Sequence, residues 1–205
     1  GYLSPQSVLQ YGEWWRVFTA AFLHGGIAHI ALNMLALYWL GREVEAIYGK
    51  TRFAFLYALA IVGSGLAIIY FSPYTLPTLG ASGAIYGLFG ALVAVGIRLG
   101  KRGRAMIVNM VPVIVLNLAI TFTVPGISAA GHIGGLITGF LVGFVLFMGP
   151  RRARLAYAYA AAAAVASPAA ATDHPADVET IEHPPDAGAH EEADAPPLHV
   201  RDPRE

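Results

Sequence analysis

The 205-residue sequence contains no cysteine. That excludes disulfides, thiolate-bound metals and cysteine nucleophiles, and it leaves the redox compartment open. Charge is also scarce. Charged residues make up 13% of the chain against 56% hydrophobic, about half the charged share of an average soluble domain. Acids are scarcer still over most of the length. Residues 1–172 hold only Glu13, Glu43 and Glu45 beside eleven of the 13 Lys/Arg, a balance of +8. Residues 173–205 hold ten acids and two Arg, a balance of −8. The formal net charge of zero therefore sums two unlike segments. The first residue is Gly, and no charged n-region or signal-type apolar segment precedes the body.

What is abundant is long apolar sequence. A membrane span needs roughly 20 mostly apolar residues to cross about 30 Å of hydrocarbon. Stretches at about 26–41, 53–71, 83–97, 105–124 and 129–149 meet or approach this. The third is short: ~15 residues at 1.5 Å each reach only ~23 Å. One end, carrying Gly80-Ala81-Ser82-Gly83, is expected to lie below the membrane surface. Basic residues occupy alternate links: Arg42, Lys50 and Arg52 after the first span, Arg98, Lys101, Arg102 and Arg104 after the third, and Arg151, Arg152 and Arg154 after the last. Links 72–82 and 125–128 contain none, and the entry segment has only Arg16. The positive-inside rule puts the basic links in the cytoplasm and the Ser82 loop, the start of the last span and the first 25 residues outside. Five spans with an outside start predict a further span before Gly1, completing a six-helix core. The expected class is an all-α, polytopic transmembrane helix bundle over 1–154. An Ala-rich helical extension at 155–171, for which a further span is the alternative, and an acidic disordered tail at 172–205 follow. His174, His183, His190 and His199 fall in that tail, where a metal site and plain solvation are both open.

No Asp or Glu lies within any expected span. That removes an aspartyl intramembrane protease and a carboxylate proton relay. The sequence also lacks HExxH, which removes a zincin. A Ser-His-Asp triad has no acid, so the remaining nucleophilic chemistry is a Ser-His dyad, its imidazole oriented by packing. The ionisable residues in the apolar body are His24, His29 and His132, and the notable neutral polar ones are Ser82, Asn33, Asn109 and Asn117.

Ser82 stands where a loop enters a helix, between Gly80 and Gly83. Glycines permit close backbone approach, and amides at a helix start are unpaired and suited to an oxyanion. A Ser in a Gly-rich turn serves equally as a cap. His132 opens the last span, where a locally hydrogen-bonded interfacial His is the plain alternative. Gly131, Gly135, Gly139 and Gly143 recur every four residues, and Gly83, Gly87 and Ala91 repeat the spacing on the Ser82 helix. Two such stripes pack backbone to backbone, which predicts that Ser82 and His132 come within hydrogen-bonding reach. Such stripes also occur in helix pairs that do no chemistry. Tyr86 lies one turn after Ser82 on the same face, placed to pack on the imidazole or to be an ordinary packed Tyr. His29 and Asn33 share a face of the first span. With no third ligand nearby for a metal, they suit the role of oxyanion donors.

These residues resemble the rhomboid intramembrane serine proteases, in their bacterial six-helix form, over about Glu13 to Gly149. The matching elements are Trp15-Arg16, His24-xxxx-His29-xxx-Asn33, Gly80-Ala81-Ser82-Gly83 followed by Tyr86, and Gly131-His132, in this order. The resemblance implies that Ser82 attacks the scissile carbonyl and His132 takes its proton. The Ser82 amide with the His29 and Asn33 side chains would hold the oxyanion. Tyr86 would pack on His132, His24 would support the first loop by hydrogen bonds, and Trp15-Arg16 would belong to a loop in the outer leaflet. The span at 105–124 would be a mobile helix admitting substrate sideways. The implied partners are transmembrane protein substrates and the lipid bilayer; no nucleic acid, cofactor or metal is expected. The family's first helix is absent from the sequence given. A catalytically silent rhomboid-like client-binding protein is the rival reading, although such relatives usually lose the Ser or the His. A transporter or channel is a second rival. It predicts an internal repeat and polar residues at the midplane, and neither is evident.

Overall fold

Glycines and hydroxyl caps mark where the apolar runs begin and end. The computed structural model describes residues 1–147. The last two residues of the run at 129–149, the extension at 155–171 and the tail at 172–205 lie outside the described residues. Ser4 and Ser7 exchange capping bonds around α1 (Pro5–Leu9), with Pro5 in the first turn, where its missing N–H is harmless. A short α2 (Arg16–Thr19) runs into a 3₁₀ turn (Ala20–Phe22). Gly25-Gly26 then swings the chain by 97° into α3 (Ile27–Tyr48). Gly49, at φ 81°, is the whole link between α3 and α4 (Lys50–Phe71). The loop 72–81 leads to α5 (Ser82–Arg98). A 3₁₀ turn (Gly100–Gly103) leads on to α6 (Arg104–Thr123), and Ser128 caps α7 (Ala129–Leu146) by accepting from the Gly131 amide. The only β pairing among the described residues is a bridge between Leu3 and Thr78, which fastens the entry segment to the loop before Ser82.

The fold is thus an all-helical bundle, as expected, and α3 to α7 fall on the five apolar runs. By length and composition, α4, α6 with its preceding turn, and α7 each suffice to cross a membrane. The bent pair Arg16–Phe22 and Ile27–Tyr48 makes a fourth candidate. Helix α5 has only 17 residues, or about 25 Å, in keeping with the short third run. One boundary differs substantially. The first run was expected to end at 41, but α3 continues to Tyr48. Arg42, Glu43 and Glu45 tolerate helix well, and the helix stops only where Gly49 adopts a left-handed φ. Two carboxylates therefore lie within a long helix that the apolar run alone did not include.

Helix α5 is the axis of the bundle. Thirteen of its residues, from Gly83 to Gly96, are buried, and Leu88, Leu92 and Val95 sit in a core with Val44, Leu56 and Met106. Lipid is as apolar as leucine, so close packing and hydrogen bonds, not apolar burial alone, must hold such helices together. The glycine stripes do this. A methyl group at Gly135 would collide with the Gly83 carbonyl, one at Gly139 with the Gly87 carbonyl, and one at Gly143 with Ala91. On the other side of α7, a side chain at Gly134 would strike Ala67 of α4. At the far end from Ser82, the Tyr48 hydroxyl donates to the Ala91 and Gly143 carbonyls at 3.2 and 3.0 Å, joining α3, α5 and α7. Helix α6 is held differently, with only Met106 and Thr121 buried along its length.

Candidate active site

The close approach of α5 and α7 has a direct consequence at one end of the pair. Ser82 is the first residue of α5 and His132 lies in the first turn of α7. Their backbones are held so near that Ser82 Oγ lies 2.7 Å from His132 Nε2. His132 is 7% exposed. Tyr86, one turn below Ser82, stacks on the imidazole with centroids 4.1 Å apart and planes 14° apart. The glycine-lined helix pair thus holds Ser82, His132 and Tyr86 in mutual contact.

Gly80 precedes Ser82 with φ 122°. A Cβ at Gly80 would lie 2.9 Å from both Cε1 and Nε2 of His29, so glycine is needed here for conformation and for space. The other ring nitrogen, His29 Nδ1, accepts from the Gly25 amide at 3.2 Å. A neutral ring accepting at Nδ1 carries its proton on Nε2, the nitrogen that faces the Gly80 backbone. Asn33 is buried and donates one amide hydrogen to the His29 carbonyl at 3.0 Å, which leaves its second hydrogen for another acceptor. The Ser82 amide, at the helix start, has no partner within the helix. All three donors belong to residues that line the same cavity as the Ser82 hydroxyl. Gly83 packs on Ser64, where any side chain would collide with the Ser64 hydroxyl.

Ser82, His132, His29 and Asn33 line a cavity of about 950 Å³ between α3, α4, α5, α6 and α7. Glu43 also lines it, together with Met106 and Asn109. This carboxylate makes no recorded bond to the imidazole. His132 Nδ1 is instead 2.7 Å from Thr121 Oγ1 of α6.

The remaining expected site residues fall elsewhere. Trp15 and Arg16 are not among the residues lining the cavity. Arg16 bonds Glu13 at 2.7 Å and the Tyr2 carbonyl at 3.0 Å, which organises the entry segment, and Trp15 is exposed. His24 packs edge-on to His29 with centroids 5.1 Å apart. Neither of its ring nitrogens finds a protein hydrogen-bond partner in the structure, so its visible support is ring packing, not the hydrogen bonds implied by resemblance. Thr121 was not singled out from the sequence. The available signal was its position four residues after Asn117, on one face of an otherwise apolar helix.

The fold and site together are those of a membrane-type helical bundle with a serine–imidazole pair facing a cavity. The chain matches the Rhomboid domain model over residues 11–149 and belongs to that family. It is 45% identical over 141 residues to the Rhomboid protease GluP of Bacillus subtilis (strain 168), covering 68% of this chain and 27% of that protein. It is 33% identical over 153 residues to RHOMBOID-like protein 4 of Arabidopsis thaliana, covering 73% and 38%. It is 33% identical over 138 residues to the Putative rhomboid protease YdcA of B. subtilis, covering 65% and 68%. The first of these alignments spans about a quarter of its relative's length and the second well under half.

Proposed function

We propose that this protein is an intramembrane serine endopeptidase that cleaves transmembrane segments of other membrane proteins. The observation that carries the reading is the 2.7 Å contact between Ser82 Oγ and His132 Nε2 at the wall of a cavity within a membrane bundle. Family membership and the relatives described as rhomboid proteases support it.

In this reading Ser82 Oγ attacks the scissile carbonyl while its proton passes to His132 Nε2. The carbonyl oxygen becomes an oxyanion and accepts from the Ser82 amide, the His29 Nε2–H and the free Asn33 amide hydrogen. Removing one such donor typically costs 10²–10³ in kcat. The imidazolium then returns its proton to the departing amine. Water, deprotonated by the same imidazole, releases the acyl group and regenerates the Ser82 hydroxyl. Hydrolysis needs water and the hydrocarbon core has none; a short α5 and a cavity at Ser82 answer that need. A helical substrate hides its carbonyls in intrahelical bonds, so segments weakened by Gly or Pro, with a small residue at the cut, are the expected substrates. In this reading the active site opens toward the outer side of the cell membrane and the chain beyond α7 lies in the cytoplasm, which the alternation of basic links supports through the positive-inside rule.

The test uses the purified protein in liposomes with a labelled single-span substrate. Wild type cleaves it, and Ser82→Ala and His132→Ala each abolish cleavage. Undiminished cleavage by Ser82→Ala would contradict the proposal.

A further inference from the structure

We propose that Thr121 is the positioning residue of the base, holding His132 in the tautomer that Ser82 requires. The inference rests on the Ser82–His132 reading above and adds a member to it. For Nε2 to accept the serine proton, the ring's own proton must sit on Nδ1. In a Ser-His-Asp triad a carboxylate enforces this. Here the atom facing Nδ1 is Thr121 Oγ1, at 2.7 Å, and a hydroxyl alone would not decide the question, since it both donates and accepts.

The neighbours of Thr121 decide it. Thr121 Oγ1 lies 2.8 Å from the Asn117 carbonyl and 2.9 Å from the Tyr86 hydroxyl. The carbonyl can only accept, and the proposed arrangement has Thr121 donate its single proton there. Two lone pairs then remain on Oγ1. One accepts the Tyr86 phenol hydrogen, and the other accepts the proton on His132 Nδ1. Every donor in the set has an acceptor, and Nε2 is left with its lone pair toward Ser82. Thr121 is 4% exposed and Tyr86 4%, so an unmatched group there would be costly. A backbone carbonyl of α6 thus does part of what the carboxylate does in a triad, relayed through one hydroxyl.

The location adds a consequence. Thr121 is the only buried residue in the outer half of α6, so the bond that orients the base is also that helix end's fastening to α5 and α7. Displacing the end of α6 releases the tautomer lock.

The experiment combines ¹⁵N-histidine NMR of the reconstituted protein with kcat and KM for a labelled single-span substrate, in wild type, Thr121→Val and Thr121→Ser. The His132 resonance is assigned by its loss in His132→Ala. Wild type is expected to show the Nδ1–H tautomer. Thr121→Val, which keeps the shape and removes the hydroxyl, is expected to shift the ring toward Nε2–H. Its kcat should fall about tenfold, the scale of one neutral hydrogen bond, with KM unchanged. Thr121→Ser is expected to restore the tautomer and most of kcat; a role in packing alone would not separate serine from valine in this way. Nε2–H in the wild type overturns the proposal whether or not the variants fold. So does a Thr121→Val protein with the wild-type tautomer and kcat. Cleavage that survives Ser82→Ala would defeat the protease reading while the NMR still decides the tautomer link.

Discussion

Around Ser82 each side chain is set by a neighbour of a different kind. The backbone amide of Gly25 fixes His29, the His29 carbonyl fixes Asn33, and the bare backbone of Gly80 leaves room for the His29 ring. Gly80→Ala should therefore act as a lesion of the oxyanion donors. The added methyl falls 2.9 Å from the ring at a φ that disfavours alanine. Cleavage is expected to drop by 10²-fold or more, the scale of a lost donor, while the thermal midpoint moves little; near-normal cleavage would show that His29 is not needed in place. Tyr86 has two roles that substitution separates. Tyr86→Phe keeps the ring stack on His132 and loses one bond to Thr121, so a few-fold loss of kcat is expected. Tyr86→Ala removes the stack as well and should cost far more. Most of these residues were legible because His, Asn and Ser are conspicuous in apolar sequence and their spacing could be placed on helix faces. Thr121 was not, because a threonine in a span commonly bonds its own i−4 carbonyl. It does so here too, and only the tertiary fold shows its second and third partners.

At the scale of elements, the pairing of α5 with α7 sets the dyad distance, and glycine permits that pairing. Gly139→Leu should be the most damaging single change distant from the site. Its side chain would enter the space of the Gly87 carbonyl, and overpacking commonly costs 1–3 kcal/mol, more when the obstacle is backbone. A large fall in unfolding midpoint with loss of cleavage is expected; a stable, active variant would contradict the packing described. Tyr48→Phe tests the opposite end of the bundle. Losing a hydroxyl that serves two buried carbonyls should lower stability by about 1–3 kcal/mol with kcat largely retained, as read from unfolding and initial rates. The stripe was readable as a four-residue repeat, and so was its partner on α5. The true length of α3 was less readable, since Arg42, Glu43 and Glu45 end an apolar run without ending a helix. The stop depends on the conformation of Gly49. The packing of Gly134 on α4 was less conspicuous, because its partners there are the single pair Gly63 and Ala67, four residues apart, and not a stripe sustained along the helix.

For the molecule as a whole, short apolar length and carboxylate scarcity fit one arrangement. A short α5 sets Ser82 and His132 beside a cavity, and in the proposed mechanism the Thr121 hydroxyl, 2.7 Å from His132 Nδ1, takes the place that an acid holds in a Ser-His-Asp triad. Glu43 lines the same cavity but makes no recorded bond to the imidazole. Belonging to the Rhomboid family agrees with the fold. The activity of this chain depends on whether Ser82 is in fact activated by His132. The most direct measurement is covalent labelling of the membrane-reconstituted protein with a fluorophosphonate, read by mass spectrometry of the modified peptide. A single adduct on Ser82 is expected, absent in Ser82→Ala and strongly reduced in His132→Ala. An adduct on another residue, or undiminished labelling of Ser82 without His132, would contradict the account.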